Sequence, residues 1–268
     1  MNQKQQQTIT RSLPTSPIRP VVETQTAANI RAVLDGTAKR AHFSFIFGQT
    51  GRGKTYVAKD WMRRNPNSSY IRCHTGSTIA KLRKQISFEL LGHERGSYRE
   101  IVDYINSRPG HVVIIDEANH LIMDSGSLGA AKNLDFIRDI WEDVNEASGG
   151  GVALMFTSCT IKAFYHGRMA GFLEQFVGRI GNHLDIPHYI SKRKEILPAV
   201  AEYVDNPSHE LIDAAHRIAA GGKGKMRTLY KYLTLAQELA EQQNTPITSK
   251  MLDAIQRRYE DGGNWSED

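Results

Sequence analysis

The run Gly48-Gln49-Thr50-Gly51-Arg52-Gly53-Lys54-Thr55 constrains this chain more than any other part of it. It is a complete G-x-x-x-x-G-K-T pattern between a short apolar run, Phe43–Phe47, and a helical one, Lys54–Arg64. Glycines at such a turn let backbone N–H groups point inward around phosphates, and the helix that follows adds the positive end of its dipole. A lysine at the seventh place reaches the β- and γ-phosphates, and the hydroxyl after it ligates Mg²⁺. The candidate nucleotide-binding residues are therefore Gly48, Gln49, Thr50, Gly51, Arg52, Gly53, Lys54, Thr55 and Tyr56, with Thr55 also a metal ligand.

The remaining patterns fit an open α/β sheet. Thr26–Lys39 reads as a helix with Ile30, Val33 and Leu34 on one face, and Tyr70–Cys73 as a second strand. Ser77 is placed to cap a helix carrying Ile79, Leu82, Ile86 and Leu90, which Gly92 stops, and Ser97–Asn106 is another helix. In His111–Ile115 four consecutive β-branched residues mark a strand buried on both faces. Leu134–Val144 is amphipathic, and Val152–Thr157 and His183–Ile186 complete five strands. Strands alternating with helices predict a five-stranded, mostly parallel sheet. After Pro187 the pattern turns helical over Lys192–Val204, Ser208–Ala219, Lys225–Ala240 and Ser249–Tyr259, with Pro198 starting or bending its helix. The expected organisation is a tail over 1–20, an α/β core over 21–188, a helical lid over 189–259 and an acidic tail over 260–268.

Two more segments carry chemistry. Asp116 and Glu117 follow the buried strand directly, where the first can hold Mg²⁺ through water and the second can polarise an attacking water. That pairing points to ATP and to an additional-strand ATPase, and no Asn-Lys-x-Asp guanine signature occurs. The stretch Asp116–His120 only superficially resembles a DEAD/DEAH box, because its histidine falls one place late. Ser158, at the end of the fourth strand, is a candidate sensor of the γ-phosphate. Arg179, before the last strand, is a candidate arginine finger for a neighbouring copy, and Arg227, at the start of a lid helix, a candidate phosphate contact.

Together these residues look like the AAA+ ATPases. The match narrows at Val22-Glu23-Thr24-Gln25-Thr26, Val113–Leu121, Gly178-Arg179-Ile180 and Met226-Arg227-Thr228-Leu229, which are similar to segments of the MuB, TnsC and TniB transposition target-selection family. Two features depart from it: MuB carries a helix-turn-helix domain where this sequence has residues 1–20, and MuB has an asparagine at the place of Ser158. The resemblance implies ATP-driven assembly as a helical homo-oligomer on double-stranded DNA and recruitment of a DDE-type transposase. It places DNA contacts at His74, Thr75, Lys81, Lys84, Arg95 and Ser97.

Charge agrees with a polyanionic partner. Residues 1–110 hold 18 Lys and Arg against 7 Asp and Glu, whereas residues 111–268 hold 16 against 22. No apolar run is long enough to cross a bilayer, no signal-like apolar segment follows Met1, and the two cysteines lie far apart, so a cytoplasmic protein without a membrane partner is expected. Two alternatives stand beside target selection: a helicase loader or replication-initiation ATPase, and a nucleotide-controlled signalling switch with no DNA partner.

Overall fold

The computed structural model describes residues 21–76, 78–123, 126–157, 177–222 and 224–260. The expectations for the tails over 1–20 and 261–268, for the Ser77 cap and for Ser158 lie outside the described residues.

Helix α1 (Gln25–Arg40) begins at Thr24, whose side chain accepts from the Ala27 N–H. Then come β1 (Phe43–Gly48), α2 (Lys54–Arg64), β2 (Ser68–Arg72), α3 (Ile79–Leu91), α4 (Tyr98–Asn106), β3 (Val112–Asp116), α5 (His120–Met123), α6 (Gly126–Ser148), β4 (Gly151–Thr157) and β5 (Ile180–Asp185). The five strands form one parallel sheet in the order β2-β3-β4-β1-β5. In such a sheet the crevice beyond the carboxyl ends of the strands is where ligands bind. The loop after β1 and the ends of β3 and β4 meet in that crevice.

Strand alternation sends side chains to two cores. Phe43, Phe45 and Phe47 face α3, α4 and α6, and Phe47 stacks on Phe156 of β4 with ring centroids 5.0 Å apart. Ile46, Ile114 and Met155 face α1 and α2, where Ile30, Leu34, Val57 and Trp61 close the other side.

Several boundaries differ from expectation. Helix α3 is capped by Thr78, which accepts from Lys81 N, and Ile79 is 37% exposed while Leu82, Ile86 and Leu90 are buried. Strand β5 starts at Ile180, three residues before the expected His183. It is an edge strand whose burial merely alternates, so its apolar signal is diluted by Gly181, Asn182 and His183. The expected helix over Lys192–Val204 is a π turn (Lys192–Ile196) running into the short α7 (Leu197–Ala201). Pro198 lacks an N–H and occupies the first turn of α7, where none is needed. Helices α8 (His209–Gly221), α9 (Met226–Gln243) and α10 (Ser249–Glu260) pack around Ile196, Leu211, Leu229, Leu233 and Leu252 in the segment expected as a lid.

His111, 2% exposed just before β3, is shifted by its surroundings toward the neutral form. Asn67 donates its Nδ2 to Pro109 O and so turns Oδ1 toward His111 Nδ1 at 3.1 Å, while Ser69 Oγ lies 2.9 Å from Nε2. Burial first, then the nearby Arg108, lowers its pKa to about 4. The unfolded chain therefore binds a proton the folded one refuses as pH falls from about 6.5 to about 4, and stability drains away across that window. A chemical denaturation series is expected to show a loss of order 2–3 kcal/mol between those limits, flattened in His111→Gln.

Candidate functional site

The turn after β1 is shaped by Gly51 and Gly53, at φ 75° and 86°, a region that costs a residue with a side chain about 1 kcal/mol. Gly48 is glycine for packing, because a Cβ there would stand 2.9 Å from Ile186 Cδ1. Gly51 lies under the lid, where a Cβ would collide with the Gly224 carbonyl oxygen.

Lys54 is 5% exposed, and its Nζ donates to Gly48 O at 2.7 Å and Gln49 O at 3.2 Å. Burial lowers its pKa to about 8, opposed by Asp116 and Glu117. Gly48 and Gln49 thus hold the lysine through their carbonyls, while Thr50 through Tyr56 line a cavity of about 700 Å³. Glu117, Thr157, Arg227 and Tyr230 line it as well, as do Val21 and Val22 just before α1. The volume suits a nucleoside triphosphate.

Asp116, 1% exposed, is fixed by three donors. Thr55 Oγ1 and the Tyr70 hydroxyl both donate to its Oδ2 at 2.6 Å, and Glu117 N donates to Oδ1 at 2.8 Å. A hydroxyl that lines the cavity and a buried carboxylate in contact with it are the oxygen donors a small divalent cation takes, so the residues fit Mg²⁺. Glu117 sits at φ 54°, a strained geometry that its flanks impose: Ala118 N donates to Met155 O, and His120 N to Glu117 O. That turn aims the Glu117 carboxylate into the cavity rather than along the strand.

Thr157, the last residue of β4, lines the cavity between β1 and β3, and its N–H donates to the buried Asn119 Oδ1 at 3.2 Å. Thr157 thus puts a hydroxyl-bearing residue at the end of β4, next to the expected sensor Ser158, which lies outside the described residues. Arg227 stands in the first turn of α9 and lines the cavity from the lid. Arg179 precedes Ile180, which pairs with Phe43 at the opposite end of β1 from the glycine loop. Five residues at about 3.3 Å each put it roughly 16 Å from its own phosphate site, too far to act there. It forms an ion pair with Glu142 of α6 and is 41% exposed.

The residues expected at DNA fall into two groups. His74, Thr75, Lys81 and Lys84 line one groove with Gln85, Phe88 and Glu94, on the outer face of α3. Arg95 and Ser97 stand apart from it. Ser97 is the cap of α4, its hydroxyl donating to Glu100 Oε2 at 2.8 Å and accepting from Glu100 N.

Tyr70, Asn119, Thr157 and the pair Thr26–Glu195 were missed by sequence reasoning. Asn119 and Thr26 lay inside segments already singled out, Val113–Leu121 and Val22–Thr26, but neither had a role assigned. The others depend on strand neighbours or on contacts across the whole chain.

Residues 37–163 match the family described as AAA domain. The chain is 24% identical over 234 residues to an ORC1-type DNA replication protein of Sulfolobus acidocaldarius, covering 76% of this chain and 54% of that protein. It thus spans about half the length of that curated relative. Three solved structures are similar. The ORC2 protein of Aeropyrum pernix, seen in ADPNP and ADP complexes, has a TM-score of 0.56 at 20% identity over 85% of this chain and 65% of that one. A DNA replication initiation factor gives 0.52 at 15% over 87% and 64%. A Walker-type ATPase of Pyrococcus abyssi gives 0.50 at 16% over 87% and 75%. The fold is the P-loop AAA+ α/β fold with a five-stranded parallel sheet. Among the described residues no helix is long and apolar enough to cross a membrane.

Proposed function

We propose that this chain is a Mg²⁺-dependent ATPase that binds DNA in its ATP state as an oligomer, of the replication-initiation or loader kind. The observation that carries the ATPase is the contact of Asp116 with Thr55, which lines one cavity together with Glu117 and Arg227. Backbone N–H groups of Gly51 through Thr55 cradle the phosphates, and Lys54 leaves its two carbonyls to reach the terminal ones. Thr55 and Asp116 would hold the cation, which would supply positive charge beside the phosphates. Glu117 accepts the proton of the attacking water, and Thr157 orients that water from the end of β4. Arg179 completes the site of an adjoining copy.

The names of the relatives favour replication initiation over target selection for a transposase, which none of them mentions. The basic first half and the groove of His74, Thr75, Lys81 and Lys84 support a DNA partner, bound through its phosphates and with weak sequence preference. The testing experiment is ATP turnover with and without duplex DNA. Stimulation by DNA with Mg²⁺ present supports the reading, and turnover indifferent to DNA at every salt concentration contradicts the DNA partner.

Two variants sharpen it. In Lys81→Ala/Lys84→Ala the plot of log DNA affinity against log salt is expected to flatten by about 2, since each lysine releases about one counterion, with ATP affinity preserved. In Arg179→Ala, turnover at assembling concentrations is expected to fall about a hundredfold or more, while ATP binding by the dilute protein is retained. An unchanged rate would remove Arg179 as the finger.

A further inference from the structure

The P-loop touches the lid at two neighbouring residues. Gly51 packs against the Gly224 backbone at the entry to α9. Arg52 reaches the start of the lid through a buried chain of polar groups. Its Nη2 donates to Thr26 Oγ1 at 3.3 Å. Thr26 in turn gives both its Oγ1 hydrogen, at 2.8 Å, and its backbone N–H, at 2.9 Å, to Glu195 Oε1. Arg52 is 4%, Thr26 6% and Glu195 6% exposed, so the chain runs between two opposite charges shielded from water. Glu195 lies in the π turn that opens the lid, and both charged residues line the nucleotide cavity. Local π geometry is a common way of turning one side chain toward a functional site.

Such an arrangement is poorly explained as a fastening. Buried charges contribute little stability when linked only through a third group, and an apolar trio would hold the lid at least as well. The guanidinium also keeps Nε and Nη1 buried without an acceptor among the described residues. That imbalance leaves Arg52 sensitive to any change in the loop that carries it. The loop in question is the one whose backbone must close on phosphates.

We propose that Arg52, Thr26 and Glu195 form a relay by which the occupied phosphate loop sets the position of the lid, with Arg52 and Glu195 as positioning residues rather than catalytic ones. The inference rests on the reading of the cavity as a nucleotide site. When phosphates draw the loop tight, Arg52 pulls on Thr26, and Glu195 carries the movement into the π turn and α7. Because Gly51 and Arg52 are adjacent, the start and the middle of the lid respond to one event.

The test is hydrogen exchange of the amides over 190–204, measured on the whole chain with and without ADPNP and Mg²⁺, beside direct binding of a fluorescent ATP analogue. In the wild-type protein, nucleotide is expected to slow exchange there about tenfold or more. The double change Arg52→Met/Glu195→Met removes both charges together, so neither is left buried alone. With nucleotide bound, that variant is expected to show less than about a twofold slowing. Thr26→Val, which cuts only the middle hydroxyl, is expected to behave alike and stands in should the double variant fold poorly. Full slowing in Thr26→Val or in the folded double variant, with analogue bound, overturns the relay alone. A wild-type protein that binds no analogue overturns the nucleotide reading and the relay with it.

Discussion

Lys54→Ala is expected to weaken ATP binding at least about a hundredfold. A lysine reaching two phosphates makes charge-assisted hydrogen bonds of about 1.5–3 kcal/mol each, and losing both corresponds to two to four decades in affinity. The site adds a reason for the upper part of that range. Lys54 is nearly fully buried and already has Gly48 O and Gln49 O as partners, so it is delivered along a fixed path and no other basic side chain shares those acceptors among the described residues. The folded state should survive: alanine is a good helix former at the start of α2. Thermal melts separate the two effects. The variant without nucleotide is expected to melt within a few degrees of wild type, and the rise in Tm on adding ATP and Mg²⁺ should vanish. A preserved rise would mean that the cavity holds its ligand by other means.

Glu117→Gln is expected to leave ATP affinity within about threefold and to lower kcat by two to three decades, the usual contribution of a positioned general base. Glutamine matches glutamate in size and keeps the backbone bond from residue 117 to Asp116 Oδ1, so only the ability to take a proton is lost. The strained φ of 54° bears on this prediction, because the turn holding it is built from the Ala118–Met155 and His120–Glu117 backbone bonds, which the substitution leaves alone. Single-turnover kinetics check it: bound ATP should persist for many wild-type lifetimes. A normal burst would move the base elsewhere.

The parts of the site that could be read from the sequence are those written in consecutive residues. The glycine loop and Asp116-Glu117 each announce themselves within eight positions, since phosphate wrapping and a strand-end carboxylate are local requirements. Five strands were also legible, because a parallel sheet buried on both faces demands runs such as Val112–Ile115. The edge strand β5 lost three residues for the converse reason, being half exposed. Tyr70 looked like one more apolar strand residue; its hydroxyl acquires a role only when β2 lies beside β3 and meets Asp116. The Thr26–Glu195 contact joins residues 169 apart and leaves no local trace. The cap of α3 shows a smaller ambiguity, for Ser77 and Thr78 are chemically equivalent caps and backbone geometry decides between them. Ile79, counted to the buried face by spacing, lies in the first turn at the rim of the core.

The account depends on the bound nucleotide controlling the DNA-binding form. Fluorescence anisotropy of a labelled duplex, titrated with protein at one fixed salt concentration in ADPNP with Mg²⁺ or in ADP, measures this directly. The predicted result is DNA binding about tenfold or more tighter with ADPNP, a coupling of at least about 1.4 kcal/mol, which disappears in Lys54→Ala. Equal affinity in both nucleotides, or tight ADPNP-dependent binding that survives Lys54→Ala, would contradict it.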